Sequence, residues 1–364
     1  MKKIKLKSTV LIYSLNSKTI TLRYCSELIH IEDESGDLTF FFSLLDGSHT
    51  AVDIKTAFTN KYSEEYSTIV YEYLETMKEL KLIEYVDQET DLDNYTLQRW
   101  SRNYEFFNTM LTLEESKYSP QEKIARAKVC LLGCGGLGSH VLLELAALGV
   151  KDITIVDFDT IELSNLNRQI LYYEEDIGKK KVFTAKDRIN KFSPTMNVMA
   201  VEMRISCSSD IEQVIRGADL VICVADKPRN DIVTWLNEAC CKQNIPFING
   251  GLDTRVATFY SVIPGATGCV ECWRSSLDGD SLQSQVLNQD HEINVDYSAP
   301  APALSALVSV TTGVMVSEAI KLLTNVQEPT LINKSKCFSF DTLEIATAES
   351  WTRDPECKCC GREK

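Results

Sequence analysis

The pattern of hydrophobic and polar residues changes near residue 120 of the chain. Beyond this point, short continuous apolar runs rich in β-branched residues alternate with segments of helical periodicity. The apolar runs are residues 128–132, 153–156, 220–224 and 246–248. Such strands are typical of a mainly parallel sheet that is covered on both faces. The pattern therefore predicts an α/β domain over residues 119–364.

Residues 1–90 follow a different pattern, which predicts a small module of short strands and short helices. Apolar and polar side chains alternate over residues 20–24 and 38–42, and both runs predict strands. Two helices are predicted next, the second over residues 65–80. Their inner faces are expected to carry Val52, Ile54 and Phe58, and then Val70, Tyr73, Leu74, Met77 and Leu80. This order favours a winged-helix-like module, and a structural appendage is the alternative.

An acidic segment lies between the two parts of the chain. Five carboxylates occur in the ten residues from Glu84 to Asp93, with little apolar content. This composition is typical of a linker. We therefore assign residues 91–118 to a connecting segment.

Composition and charge narrow the class of protein. The 364 residues include 38 Lys and Arg and 52 Asp and Glu, a net charge of −14, which argues against a nucleic-acid partner. The 13 cysteines and the polar first residues favour a reducing, cytoplasmic setting in which clustered cysteines bind metal. The apolar stretch of residues 299–323 contains Glu318 and Lys321, so we expect a buried helix and no membrane span.

A glycine-rich segment follows the first apolar run directly. Residues 133–139 fit the pattern G-x-G-x-x-G and open a predicted helix over residues 139–148, which Gly149 can terminate. The glycines let backbone N–H groups approach a phosphate at the positive end of the helix. They are Gly133, Gly135, Gly136 and Gly138. Because Asp157 ends the next strand, where a carboxylate can accept hydrogen bonds from ribose, a nucleotide site in a Rossmann-like sheet is predicted.

Cationic residues after this strand favour a triphosphate over a dinucleotide. Arg168 and Lys181 are thirteen residues apart and follow the glycine segment. Both side chains can stabilise charge on phosphoryl oxygens. Lys179 and Lys180 are better explained as a solvated helix start. Asp226 follows another strand and is expected to hold Mg²⁺, with helix capping as the alternative.

Two Cys-x-x-Cys pairs predict a metal site. Cys269 and Cys272 form the first pair, and Cys357 and Cys360 form the second near the C-terminus. Four thiolates suit a structural, tetrahedral Zn²⁺ that ties the end of the chain to the domain. Cys359 is expected to be a spectator, while Cys207, Cys223, Cys240 and Cys241 are expected in the core because they lie in or beside apolar runs.

Residues 131–168, with Asp226 downstream, resemble the ThiF and MoeB superfamily of ubiquitin-activating-type adenylating enzymes. The resemblance covers residues 99–361 and includes the four-cysteine zinc site. It implies that ATP and Mg²⁺ are used to adenylate the C-terminal carboxylate of a protein or peptide, with release of pyrophosphate. By motif it implies catalytic roles for Arg168, Lys181 and Asp226. It also implies nucleotide contacts from the glycine segment and from Asp157, Asp159, Asn165, Asn167 and Gln169.

The resemblance extends to residues 99–103, just upstream of the α/β domain. In this family an arginine at the position of Arg102 reaches into the ATP site of the partner subunit, which implies a homodimer. An exposed helix arginine is the alternative. The family's common Asp-Asn pair is Asp226-Lys227 here, which puts the exact form of the magnesium site in doubt.

Residues 132–140, 226–228, 235–237 and 265–269 look most like the MccB-type peptide adenylating enzymes of microcin C biosynthesis. In that family a small N-terminal module clamps a ribosomally made peptide. Residues 44–47, expected to form a turn, and residues 80–83 also resemble PqqD-like recognition elements. The leading hypothesis is therefore ATP-dependent adenylation of a ribosomal precursor peptide, with residues 278–298 as a crossover loop over the substrate channel or as a disordered insertion.

Two other functions remain open at this point. A non-catalytic ThiF-like protein would bind a leader peptide and present it to a cyclodehydratase. A MoeB-like or ThiF-like enzyme would activate a small sulfur-carrier protein. The complete set of predicted ATP ligands favours an enzyme over the scaffold, and the N-terminal module favours the peptide over the carrier protein.

Overall fold

The protein forms two compact units, residues 1–122 and 123–364. The computed structural model describes residues 2–361 except 17, 65, 87, 229–230 and 278–301. The predicted crossover loop therefore lies outside the described residues. Each unit has its own hydrophobic core.

The first unit contains two small antiparallel sheets and short helices. One sheet has the strand order β5-β1-β6 and the other has the order β2-β3-β4. The strands are β1 (Lys3–Leu6), β2 (Leu11–Asn16), β3 (Thr19–Tyr24), β4 (Glu27–Glu32), β5 (Asp46–Thr50) and β6 (Ile83–Tyr85). The helices are α1 (Asp37–Leu44), α2 (Ala51–Lys61), α3 (Ile69–Glu79), α4 (Asn94–Arg99) and α5 (Ser101–Asn108). This unit has the mixture of short strands and short helices that the sequence predicts.

The strand predicted over residues 38–42 is wrong, because these residues form helix α1. The Asp33 carboxylate accepts hydrogen bonds from the backbone N–H groups of Leu38 and Thr39, at 3.0 Å each. These bonds satisfy N–H groups that a helix start leaves without an intrahelical partner. Phe41 and Phe42 are consecutive, and both are buried in the core. Consecutive side chains of a strand point to opposite faces, so this burial fits a helix better than the predicted strand.

Helices α2 and α3 match the two predicted helices, with two corrections at their faces. Ile54 and Phe58 are buried as predicted, whereas Val52 in the first turn of α2 is 44% exposed. Leu80 lies just beyond the end of α3 and is also exposed. The turn predicted at residues 44–47 falls between α1 and β5, because Leu44 is the last residue of α1 and β5 begins at Asp46.

The second unit is built on one eight-stranded sheet with the order β14-β13-β12-β11-β10-β7-β8-β9. Its strands are β7 (Lys128–Leu132), β8 (Asp152–Asp157), β9 (Asn197–Glu202), β10 (Leu220–Cys223), β11 (Phe247–Asp253), β12 (Val256–Val262), β13 (Lys334–Ser339) and β14 (Ile345–Ser350). Strands β7 to β11 pair in parallel and β12 to β14 add antiparallel pairs. The predicted α/β fold with a mainly parallel sheet is confirmed.

The order of the strands creates a crevice beside β7. From β7 the chain continues to β8 and β9 on one side, and then returns to place β10 on the other side. Ligands of open α/β sheets bind at such a switch point, outside the carboxyl ends of the strands. Both the glycine segment and Asp226 follow strands at this point, because they come after β7 and β10.

Helices cover the sheet of the second unit. Helix α6 (Ser119–Arg126) spans the boundary between the two units along the chain, and the helices that follow it are α7 (Gly136–Leu148), α8 (Lys181–Phe192), α9 (Ser208–Val214), α10 (Asp231–Gln243), α11 (Val270–Ser276) and α12 (Ser305–Thr324). By length and apolar composition alone, α12 is able to cross a membrane, and 44% of its most apolar window is buried in the protein. Its buried face, which includes Leu307, Val308 and Met315, packs in the region of α7, β11 and β12.

Candidate nucleotide site and metal centre

The glycine segment forms a tight connection from β7 to α7. A side chain at Gly138 would place its Cβ 2.0 Å from the carbonyl oxygen of Gly133. Gly133 itself has φ +100°, and a Cβ there would lie 3.0 Å from the backbone nitrogen of Ala225. Helix α7 begins at Gly136, three residues earlier than the predicted Ser139, and ends before Gly149 as predicted. The start of α7 is thus held against the end of β10.

Asp157 holds the glycine segment from the end of β8. Its Oδ2 accepts a hydrogen bond from the backbone N–H of Cys134 at 2.7 Å, and its Oδ1 accepts one from Asp159 at 2.8 Å. The Tyr172 hydroxyl donates to the carbonyl oxygen of Cys134 at 2.8 Å. Burial raises the pKa of Tyr172 well above its usual value, so this hydroxyl stays a donor. The carboxylate oxygens of Asp157 keep lone pairs for the ribose contact that the sequence predicts.

Arg168 lies along the start of α7. Its Cδ is 3.4 Å from the place that a Cβ on Gly136 would occupy. The guanidinium donates to the Ser164 carbonyl oxygen at 3.1 Å and to Asn167 Oδ1 at 2.8 Å. Asn165 supports the same turn, because its Oδ1 accepts from the Glu162 N–H at 3.1 Å. No carboxylate pairs with Arg168 in the described part of the chain, so its positive charge is not neutralised there.

Gln169 carries a buried polar atom that lacks a partner. The residue is 2% exposed, and its Oε1 has no hydrogen-bond partner among the described residues. Its Nε2 lies 3.8 Å from the place that a Cβ on Gly135 would occupy. A buried polar atom without a partner is costly in a finished protein, and a bound ligand can satisfy it. This observation fits a polar ligand over the glycine segment.

Lys181 is paired with a carboxylate in this structure. Its Nζ lies 3.0 Å from Asp159 Oδ2, and its side chain is 7% exposed at the start of α8. The contact places a cation and a carboxylate together beside Asp157, although the sequence predicts that Lys181 binds phosphate. The sequence predicts a solvated helix start at Lys179 and Lys180. They are partly exposed, but each forms an ion pair, with Asp176 at 2.9 Å and Glu202 at 2.7 Å.

Asp226 is exposed at the end of β10, next to the Ala225 backbone that borders Gly133. Its carboxylate has no ion pair or hydrogen bond within the described ranges, so it is open to a cation. A free carboxylate beside a phosphate-binding loop is the donor that Mg²⁺ uses with substrate phosphates. Arg102 lies in the other unit, where it is exposed on α5.

His140 contacts the Arg168 turn, although no motif in the sequence singles it out as a site residue. Its Nε2 lies 3.1 Å from the carbonyl oxygen of Arg168, and its Nδ1 lies 3.3 Å from Ser309 Oγ on α12. Burial lowers the pKa of His140, which favours the neutral ring. This contact exists only because folding brings α7, α12 and the Arg168 turn together. The contact of Tyr172 with Cys134 likewise joins residues that are distant in the sequence.

The four predicted cysteines form one buried cluster. The Sγ atoms of Cys269, Cys272, Cys357 and Cys360 all lie within 4.8 Å of one another. The Sγ–Sγ distances are 3.9 Å for Cys269–Cys272, 3.7 Å for Cys269–Cys357 and 3.4 Å for Cys272–Cys360. Tetrahedral Zn²⁺ with bonds of about 2.3 Å needs sulfur atoms about 3.8 Å apart. The geometry therefore fits a zinc ion held by four thiolates, with no position left for a substrate.

The other cysteines divide into buried and exposed. Cys223, Cys240 and Cys241 are buried as predicted. Cys207 is exposed, so its predicted core position is wrong. It occupies the position just before α9, and its side chain forms no capping hydrogen bond with the start of that helix. Cys359, expected to be a spectator, has its thiol beside those of Cys241 and Cys269.

Substitution of Gly138 by alanine is expected to disrupt the nucleotide site. The added Cβ meets a backbone oxygen at 2.0 Å, so the glycine segment has to shift. We expect a loss of about 1–3 kcal/mol in the free energy of unfolding and at least a tenfold weaker ATP affinity. Calorimetric ATP titration and thermal unfolding measure both effects.

The matched control is Gly313→Ala in α12. This helical glycine has open space around the position of a Cβ, so the substitution is expected to leave ATP affinity unchanged and stability the same or slightly higher. Equal ATP affinity in Gly138→Ala and the wild type would contradict the placement of ATP at this segment.

Comparison with known proteins identifies the family. The ThiF family profile matches residues 107–359. The sulfur carrier protein adenylyltransferase of Thermus thermophilus is 29% identical over 272 residues, which are 73% of this chain and 94% of that protein. The molybdopterin-synthase adenylyltransferase of Salmonella typhimurium is 28% identical, over 70% of this chain and 96% of that protein. The chain therefore belongs to the ThiF family, as its resemblance indicates, and is an enzyme of the adenylyltransferase class.

A solved structure matches both units of the chain. The crystal structure of Escherichia coli MccB with MccA aligns with a TM-score of 0.78 and 25% sequence identity. The alignment covers 99% of this chain and 100% of that chain. The first 106 residues, which lie outside the ThiF match, thus have a counterpart in MccB.

Proposed function

We propose that this protein uses ATP to adenylate the C-terminal carboxylate of a ribosomally made peptide in natural-product biosynthesis. One observation carries the choice of substrate. The ThiF match begins at residue 107, whereas the similarity to MccB extends over nearly the whole chain and so includes the first unit. A peptide-recognition role for residues 1–90, before an adenylating domain over residues 119–364, follows from this similarity.

In this proposal the crevice beside β7 binds the nucleotide. Backbone N–H groups at the start of α7 point toward the phosphates, and the helix dipole favours negative charge there. Asp157 accepts hydrogen bonds from the ribose, and Gln169 gains the partner that its Oε1 lacks. Asp159, Asn165 and Asn167 shape the wall of this crevice through the contacts described above.

The cationic residues stabilise the charge that develops at the α-phosphorus. The peptide carboxylate attacks this atom, the bond to the bridging oxygen breaks, and pyrophosphate leaves. Arg168 is placed to offset charge on the phosphoryl oxygens, since no carboxylate pairs with it within the described residues. Lys181 contributes by moving from Asp159 to phosphate. Asp226 would hold Mg²⁺, which supplies further positive charge to the phosphate oxygens when it is bound.

The first unit offers an edge for the peptide. Strands β2 and β4 are the two outer strands of their sheet, so each has main-chain groups that no strand pairs with inside this sheet. An extended peptide can add to such an edge through main-chain hydrogen bonds. The implied homodimer, in which Arg102 reaches the partner's ATP site, stays a prediction.

Activation of a sulfur-carrier protein is the second candidate, and the two named adenylyltransferase relatives favour it. These relatives align over 94% and 96% of their own length with only 73% and 70% of this chain, so more than a quarter of this chain has no counterpart in those alignments. A non-catalytic peptide scaffold is disfavoured, because it needs neither the open Asp226 nor an Arg168 whose charge no described carboxylate neutralises.

ATP–pyrophosphate exchange tests this proposal. We expect exchange with a short precursor peptide encoded beside the gene, and background exchange with the same peptide carrying a C-terminal amide. Exchange with a sulfur-carrier protein alone would overturn the peptide proposal in favour of the second candidate. No exchange with either, together with stimulation of a neighbouring cyclodehydratase, would overturn the enzymatic proposal.

A further inference from the structure

A second group of thiols lies directly beside the four-cysteine cluster. The Sγ atoms of Cys241, Cys269 and Cys359 are all within 4.8 Å of one another. Three different parts of the chain supply them: α10, the residue before α11, and the C-terminal segment. Cys269 belongs to both groups. The four-cysteine site therefore accounts for four of six adjacent thiols and leaves two without a function.

The side chain of Asn237 contacts all three sulfurs of the second group. Its Nδ2 donates to Cys359 Sγ at 3.1 Å and to Cys269 Sγ at 3.7 Å, while its Oδ1 accepts from the Cys241 thiol at 3.8 Å. Asn237 is fully buried, and its Oδ1 also accepts from the Val270 N–H at 3.0 Å. A buried side chain that contacts all three sulfur atoms holds them close together, as a neighbour of a metal site does for its ligands.

We propose that Cys241, Cys269 and Cys359 hold a second thiophilic metal ion, with the Cys269 thiolate bridging it to the zinc. Three thiolates around one ion at about 2.3 Å need sulfur atoms about 4 Å apart, which agrees with the limit of 4.8 Å. Sulfur ligands select soft ions such as Zn²⁺, Cd²⁺ or Cu⁺ over Mg²⁺ or Ca²⁺.

The charge balance favours a divalent ion at this site. Two further thiolates in a buried position would be costly on their own. A second divalent ion cancels the two charges that the Cys241 and Cys359 thiolates add, so the cluster keeps the net charge of the four-thiolate zinc site. The second ion also ties α10, which supplies no ligand to the four-cysteine site, to the C-terminal segment.

Metal counting tests the inference. Full-length protein purified with excess Zn²⁺ and then passed through a desalting column is analysed by mass spectrometry for metal per chain. We expect two ions in the wild type and one in the Cys241→Ala/Cys359→Ala double variant. The matched control is Cys240→Ala, which removes the neighbouring buried thiol and is expected to keep two ions.

Cadmium titration gives a second readout that does not depend on activity. The ultraviolet thiolate-to-cadmium absorbance is expected to fall by about a third in the double variant, because two of six thiolates are lost. If the double variant does not fold, the single Cys359→Ala variant carries the test, since Cys359 is only partly buried. One ion in the wild type, with equal cadmium absorbance in wild type and variant, would overturn the second site and leave the zinc site standing.

Discussion

The Asp226→Asn variant is expected to lose ATP–pyrophosphate exchange almost completely. Asparagine keeps the size of the side chain but removes the negative charge that would hold Mg²⁺ at the end of β10. We expect a fall of at least about a hundredfold in the exchange rate, since the loss of one charge-stabilising group in an active site costs that much or more. Peptide affinity, measured by calorimetry or fluorescence anisotropy, is expected to remain within about twofold of the wild type.

The same strand offers a matched control at its other end. Asp219 precedes β10, and its Oδ2 accepts a hydrogen bond from the Lys128 N–H at 2.8 Å. Asp219→Asn keeps an acceptor at this position and is far from the carboxyl end of the sheet, so exchange is expected to stay near the wild-type rate. Exchange in Asp226→Asn equal to that in Asp219→Asn would refute the magnesium role.

The Cys272→Ser variant is expected to lower stability strongly. Cys272 is 2% exposed and lies 3.4 Å from Cys360, so its loss opens the coordination of the zinc ion. Structural zinc sites contribute free energy of folding directly, on the order of 10 kcal/mol in small zinc-binding peptides. We expect the Tm to fall by about 10 °C or more and the metal content to fall by at least one ion per chain.

Cys337→Ser is the control for the loss of a thiol. Cys337 lies on β13 outside both cysteine groups and is partly exposed. It is expected to keep the wild-type metal content and a Tm within about 2 °C. A Cys272→Ser protein with full metal content and an unchanged Tm would contradict the four-thiolate site.

Much of the second unit was predictable because its signals are local. Continuous apolar runs such as residues 128–132 and 220–224 can only be buried on both faces, and they became neighbouring parallel strands. The glycine segment is predictable for a similar reason, because Gly138 meets Gly133 within the same short loop. The Cys-x-x-Cys pairs also have a spacing that few other functions require.

The failed predictions depend on contacts that local patterns do not contain. Residues 38–42 alternate like a strand, yet the Asp33 side chain caps them as a helix and two consecutive Phe side chains enter the core. The structure also shows contacts that no local pattern contains, such as the pairing of Lys181 at the start of α8 with Asp159 in the connection after β8. His140 belongs to a helix whose sequence reads as core, and only packing against α12 shows its contact with the Arg168 turn.

The most direct test of the central claim is the identity of the phosphorus-containing products. The full-length protein is incubated with ATP, Mg²⁺ and a precursor peptide, and the products are followed by phosphorus NMR and by mass spectrometry of the peptide. Attack at the α-phosphorus predicts pyrophosphate together with AMP, either attached to the peptide or released from it. Formation of ADP and phosphate, or no peptide-dependent change in ATP, would contradict adenylation.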